Sequence, residues 1–125
     1  MNKLMVIFLI LFLSGCSLIF YREPYTLNRY ADWVNANTNE SVSNDDFGFC
    51  YSKAKSEVMG RPVNEDEDIG GLDNYYKTYP ILGKCLYEKG YRFKVKHFIV
   101  YCYNKPRECK AYRNYMKLDF DTDWE

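Results

Sequence analysis

Four kinds of hydrophobic pattern follow one another along the chain. Leu4 to Leu13 is an unbroken run of ten uncharged apolar residues. Further on, Phe47, Cys50, Tyr51, Ala54 and Val58 recur at helical spacing, which predicts a helix with one apolar face. Ser43 is placed to cap it, Asp45 and Asp46 suit its positive end, and Gly60-Arg61-Pro62 stops it. A second helix is predicted from Pro80 to Lys89. Ile81, Leu82, Cys85 and Leu86 form its inward stripe, Pro80 lies in its first turn, and Gly90 ends it. From Tyr91 the period drops to two: Tyr91, Phe93, Val95, His97, Ile99, Tyr101 and Tyr103 alternate with other positions, as in a strand running to Tyr103. Residues 107–118 fit either period. Pro106 and Glu108 favour a helix, while a hairpin partner for the preceding strand is the alternative. Residues 119–125 form an acidic tail, and the polar run Asn35 to Ser41 reads as a tether.

The first apolar run is too short to cross a bilayer as a helix, which needs about 20 residues. It follows a single lysine, Lys3, and leads into Leu13-Ser14-Gly15-Cys16, with small residues just before a cysteine. This arrangement resembles the lipobox of bacterial lipoproteins cut by signal peptidase II. The resemblance implies cleavage between Gly15 and Cys16, an S-linked diacylglycerol on the Cys16 thiol and an N-acyl chain on the new terminus. Two or more acyl chains make anchoring stable where one is marginal. Ser17 stands where an aspartate marks inner-membrane retention in Gram-negative lipoproteins, which implies the outer membrane. The periplasmic face is expected, with the outer surface left open.

Cleavage would leave a chain from Cys16 to Glu125 that is long enough for one small domain. The expected organisation is a signal peptide over 1–15, a lipidated N-terminus and tether over 16–42, a globular domain over 43–118, and the tail. Trp33 is expected to dock on the domain despite lying within the tether. The expected fold is α+β and mainly helical: a disulfide-stapled domain with a helix pair and a short strand or hairpin behind the tether.

Setting Cys16 aside leaves Cys50, Cys85, Cys102 and Cys109, an even number that implies two disulfides in an exported domain. Three connectivities are possible. Cys50–Cys85 with Cys102–Cys109 is favoured, because Asn104 and Pro106 suit a turn within the second pair. The longer loop is worth roughly 4 kcal/mol on the chain-entropy model and the shorter roughly 2 to 3. A four-thiolate zinc site would need close cysteine pairs, which are lacking. The segment Cys85-Leu86-Tyr87-Glu88-Lys89-Gly90-Tyr91 also resembles a cysteine, methionine, two variable residues, lysine, glycine, aromatic motif of many small uncharacterised Gram-negative lipoproteins. Those also carry an earlier tryptophan and an earlier helical cysteine, as Trp33 and Cys50 do here. Leu86 stands in place of the methionine.

Charge sums to zero yet is segregated, with acidic residues dominating 40–76 and basic ones 84–117. Packing of the two halves against each other is the simpler expectation; orientation against an anionic surface is the other. An exported chain is not expected to meet nucleic acid. Asn64 to Gly71 resembles the start of a calcium loop, but Lys77 stands where the twelfth-position glutamate belongs, so no metal is expected. His97, the only histidine, has no neighbouring nucleophile, and no catalytic residue or cofactor site is assigned. The 13 tyrosines suit a half-buried surface in a small domain, or alternatively a face that binds sugar or peptide. The expected role is binding or accessory service to an envelope protein partner. The alternatives are an inhibitor or immunity-type protein that plugs a basic cleft with Glu65 to Asp68, and an envelope hydrolase.

Overall fold

The computed structural model describes residues 3–10 and 23–119. Their elements run α1 (3–10), α2 (Pro24–Leu27), β1 (Ala31–Asn35), α3 (Asn44–Met59), α4 (Leu72–Glu88), β2 (Tyr91–Lys96), α5 (Phe98–Asn104), α6 (Pro106–Tyr112), a 3₁₀ turn (Arg113–Tyr115) and β3 (Met116–Asp119). The fold is α+β and mainly helical. β2 lies in the centre of a three-stranded sheet, antiparallel to β1 and parallel to β3. Trp33 and Met116 flank Phe93 in register. Alternation along β2 turns Tyr91, Phe93 and Val95 into the core and Arg92, Lys94 and Lys96 away from it.

α3 starts and stops where the sequence says it should. The Ser43 side chain accepts a hydrogen bond from the Asp46 amide at 3.1 Å, and Gly60 closes the helix at φ 68°, where a side chain would be strained. α4 is two turns longer at its start than expected, because Pro80 lies inside it rather than at its first turn. Proline removes one backbone donor. Here it is on the exposed side of the helix, and the segment before it is held by other bonds. The Asn74 amide donates to the carbonyls of Ile69 and Gly70 at 3.0 Å each, while the Thr78 hydroxyl, fully buried, donates to the Tyr75 carbonyl.

The two long helices are joined by Cys50–Cys85, and α5 is joined to α6 by Cys102–Cys109, each with Cα atoms 5.6 Å apart. Trp33 docks as expected, at 5% exposure, in an aromatic cluster with Phe93 (5.2 Å between ring centroids) and Tyr112 (5.0 Å). Gly83 makes room for that cluster: a Cβ there would lie 2.7 Å from Cδ1 of Tyr112.

Further expectations are corrected. The tether does not extend to residue 42, nor does the globular part begin at 43. Trp33 and its neighbours form β1, and residues 36–42 turn back onto it. The Asn35 side chain accepts from the amides of Asn37 and Thr38, and the Val42 amide donates to the Trp33 carbonyl. Asparagine-rich polarity here encodes a tight turn, not slack chain. The strand from Tyr91 ends at Lys96 rather than Tyr103, because His97 takes a left-handed conformation (φ 47°) and starts α5. Within α5, Tyr101 is buried against Phe93, and Cys102 reaches its partner in α6. These tertiary contacts override the strand preference of Ile99 and Val100. Residues 107–118 begin as the favoured helix, which ends at Tyr112, and continue as a turn and a strand; that strand pairs in parallel with β2, so the hairpin alternative does not hold. Asp119 is the last residue of β3; residues 120–125 of the acidic tail lie outside the described residues.

Two substitutions probe this packing. Replacing Cys50 and Cys85 together by alanine is expected to cost about 4 kcal/mol through loop entropy, read from urea denaturation; an unchanged midpoint would contradict the staple. Gly83→Ala gains about 1 kcal/mol of helix propensity, but overpacking against Tyr112 costs about 1 to 3 kcal/mol. The expected result is a net loss in the same measurement, and a gain would show that the Tyr112 ring yields freely.

Candidate functional site

α4 carries Tyr75, Tyr76 and Tyr79 on one side because helical spacing brings these positions together. Across from them stands Tyr51 on α3, and the turn between α5 and α6 contributes Asn104, Lys105, Arg107 and Glu108. Together they enclose a cleft of about 480 Å³, with Leu72 exposed at its rim. That volume falls within the range of small-molecule sites.

Contacts around the cleft fix several of these groups. The guanidinium of Arg107 stacks over the Tyr76 ring at 3.9 Å, and Tyr76 meets Tyr79 edge-on with centroids 5.8 Å apart. The Glu108 carboxylate accepts a hydrogen bond from the Tyr101 hydroxyl at 3.5 Å. Burial, reinforced by the Glu108 charge, pushes the Tyr79 phenol up to about 12. Burial, then the Glu108 charge, raises Tyr101 further, and burial, then Tyr79 and Glu108, raises Tyr112.

The acidic loop borders this region and is built around a buried cation. Lys55 is 3% exposed; its Nζ donates to the carbonyls of Glu65 at 2.5 Å and Glu67 at 2.6 Å and lies 4.3 Å from the centroid of Tyr51. A buried ammonium without such acceptors would be strongly destabilising. The loop's backbone oxygens are thus turned onto a lysine. Glu67 pairs with Arg61 at 2.6 Å, which lowers its carboxyl below the usual range. Asp68 accepts from the Gly70 amide and from the Tyr75 hydroxyl, and both bonds lower its pKa. Of the four carboxylates in the plug reading, two are therefore already engaged by this chain. No group of three or more His, Cys, Asp or Glu among the described residues is placed to hold a metal ion.

The acidic and basic halves pack against each other, as the Cys50–Cys85 bond between them requires, and part of the basic charge also forms a face of its own. Arg92, Lys94, Lys96 and Lys117 lie on the sheet surface away from the core, beside a shallower cleft of about 240 Å³ that Arg29 and Asp32 also line. The Lys117 ammonium donates to Asn39, and Arg92 stacks over Tyr87 at 4.0 Å. The two halves of the chain do meet at Asp46, whose carboxylate accepts from the Tyr91 hydroxyl at 2.5 Å and pairs with Lys89 at 3.3 Å. Both partners, Tyr91 foremost, hold its carboxyl below the usual range.

His97 does not join the tyrosine cleft; its ring packs on Tyr30 at 4.7 Å. Cys16 lies outside the described residues. α1 covers part of the first apolar run, with Leu4 to Ile10 exposed, and no helix among the described residues is long and apolar enough to cross a membrane. Sequence reasoning noted the tyrosines but did not locate the cleft. The available signal was Tyr75-Tyr76 followed by Tyr79, which reads as a helical face only if the helix is allowed to begin well before Pro80.

The chain matches no protein-family model, no curated protein and no solved structure.

The raised Tyr79 phenol gives a test of the cleft's electrostatics. Its folded pKa lies above the ordinary value of 10.0, so its contribution to stability is complete below pH 10 and disappears as pH climbs towards 12. Glu108→Gln is expected to move the Tyr79 titration partway back towards 10, since burial is the larger cause and remains. Tyrosinate absorbance, with Tyr79→Phe to assign the signal, reads the shift; no movement would place Glu108 outside Tyr79's electrostatic reach.

Proposed function

We propose that this chain is a lipid-anchored binding protein of the bacterial envelope, held at the outer membrane through Cys16 and presenting the tyrosine cleft to a ligand. The observation that carries the reading is cysteine arithmetic. Two disulfides use Cys50, Cys85, Cys102 and Cys109, so the fifth cysteine of the sequence is the one that follows Leu13-Ser14-Gly15. Paired disulfides suit an oxidising compartment such as the periplasm, and a short apolar leader ending at that cysteine suits lipid modification.

The fold makes the spacer short. Glu23 is the first described residue before α2, seven residues beyond Cys16, so a fully extended spacer between them reaches at most about 25 Å. A domain held so close would work at the membrane surface or on an envelope partner beside it. Binding is favoured over catalysis because the sole histidine packs on Tyr30 and the cleft's carboxylate accepts from the Tyr101 hydroxyl. Such a carboxylate suits orientation of a ligand better than proton transfer.

Mass spectrometry of the detergent-extracted protein tests the anchor. The expected product begins at Cys16 and carries diacylglycerol and a further acyl chain, and Cys16→Ser abolishes both the acyl mass and the cut. An intact leader without acyl mass on the membrane-associated wild-type protein would overturn this reading.

A further inference from the structure

We propose that the tyrosine cleft binds an acidic saccharide, stacking its rings on the phenols of α4 and receiving its carboxylate at Arg107 and Lys105. The proposal rests on the binding role argued above and names the ligand class for that site. A pyranose ring has two chemical aspects: faces of C–H bonds and a rim of hydroxyls. The cleft offers a counterpart to each. Tyr75, Tyr76 and Tyr79 give rigid, half-buried aromatic surface with a polar tip. At the facing wall Asn104, whose Nδ2 donates to the Val100 carbonyl at 2.8 Å, offers its amide oxygen, and Glu108 keeps acceptor sites beyond the one that receives the Tyr101 hydroxyl, both suited to sugar hydroxyl donors.

Alternatives fit less well. An apolar ligand filling the cleft would strip water from Arg107, Lys105 and Glu108 without replacing their hydrogen bonds, a substantial cost. A peptide that binds by adding a strand needs a sheet edge, whereas every wall here is a helix or a helix–helix turn.

Charge selects an acidic sugar over a neutral one. Two cations, Lys105 and Arg107, line the cleft against a single carboxylate, Glu108, which already accepts from the Tyr101 hydroxyl. The remaining imbalance is positive. Arg107 is also held in orientation, because stacking on Tyr76 uses the flat face of the guanidinium and keeps its N–H donors at the edge. A preoriented fork of this kind matches a carboxylate with two parallel hydrogen bonds. Lys105 adds charge two residues away, just before the proline that begins α6.

Calorimetric titration of the full chain in detergent micelles provides the test. The probes are a hyaluronan tetrasaccharide, which alternates glucuronate with N-acetylglucosamine, and chitotetraose, which has the same length and no carboxylate. Saturable binding of the acidic probe is expected, with chitotetraose about tenfold weaker or more because it forgoes the charged, bidentate contact. Arg107→Ala should bring the acidic probe down to the level of the neutral one, and Tyr76→Leu should weaken both. Should circular dichroism show that Arg107→Ala does not fold, Arg107→Lys is read instead; it keeps the charge but loses the fork, and weaker binding is again expected. Absence of saturable binding to either probe overturns the proposal, as does equal binding of both probes with no response to the Arg107 substitution, or no response to Tyr76→Leu. Acylation of Cys16 is measured separately, so loss of the anchor leaves this test standing and failure here leaves the anchor standing.

Discussion

The Cys50–Cys85 bond is the constraint on which the rest of the structure depends. α3 has sixteen residues, yet its buried positions are Gly48, Cys50, Ala54 and Lys55. None of these is a large aliphatic group. A buried leucine contributes about 1.5 to 3 kcal/mol, whereas the large apolar side chains that α3 packs on the core, Phe47 and Tyr51, are only partly buried. The disulfide, worth about 4 kcal/mol over its 35-residue separation, stands in for about two such leucines. It does so at the centre of the core, where Cys50 is fully buried and Cys85 nearly so. Small residues on α3 then become an advantage, because they let α4 approach closely.

Lys55 continues the same logic beyond the disulfide. An interior ammonium must be satisfied, and the groups that satisfy it are carbonyls of the acidic loop that leads into α4. The loop is therefore tied to α3 from inside, and its outward carboxylates are disposed by that tie. Tyr51, between Cys50 and Lys55 in the helix, is presented to the cleft from a wall fixed on both sides. The opposite wall is fixed by Cys102–Cys109, which holds the turn bearing Lys105, Arg107 and Glu108. One crosslink sets the helix pair, the other sets the turn facing it, and the tyrosines occupy the gap.

What the sequence displays follows the range of the interaction involved. Ser43, Asp45, Asp46 and Gly60 bound α3 through contacts within a few residues, so that helix was legible to its ends. The disulfide pairing was legible through parity and turn residues, although geometry was needed to choose among three connectivities. Pro80 misled because its local signal is the same at a first turn as on the exposed side of a longer helix. Asn35 to Ser41 looked like slack chain because hydrogen bonds in an Asx turn are invisible to composition. Tyr101 and Cys102 kept a strand-like alternation although distant partners, Phe93 and Cys109, draw them into a helix. The parallel pairing of β2 with β3 rests on contacts between remote segments and left no local mark. The cleft combines α3, α4 and the α5–α6 turn, so tyrosine content announced its material without its place.

The fold and its cleft require that the four cysteines of the domain pair as Cys50–Cys85 and Cys102–Cys109. Non-reducing peptide mapping of the purified chain measures this directly. The account predicts one crosslinked pair of peptides containing Cys50 and Cys85, and a Cys102–Cys109 loop that opens only on reduction. Thiols at Cys50 and Cys85, or a bond from either to Cys102 or Cys109, would contradict it.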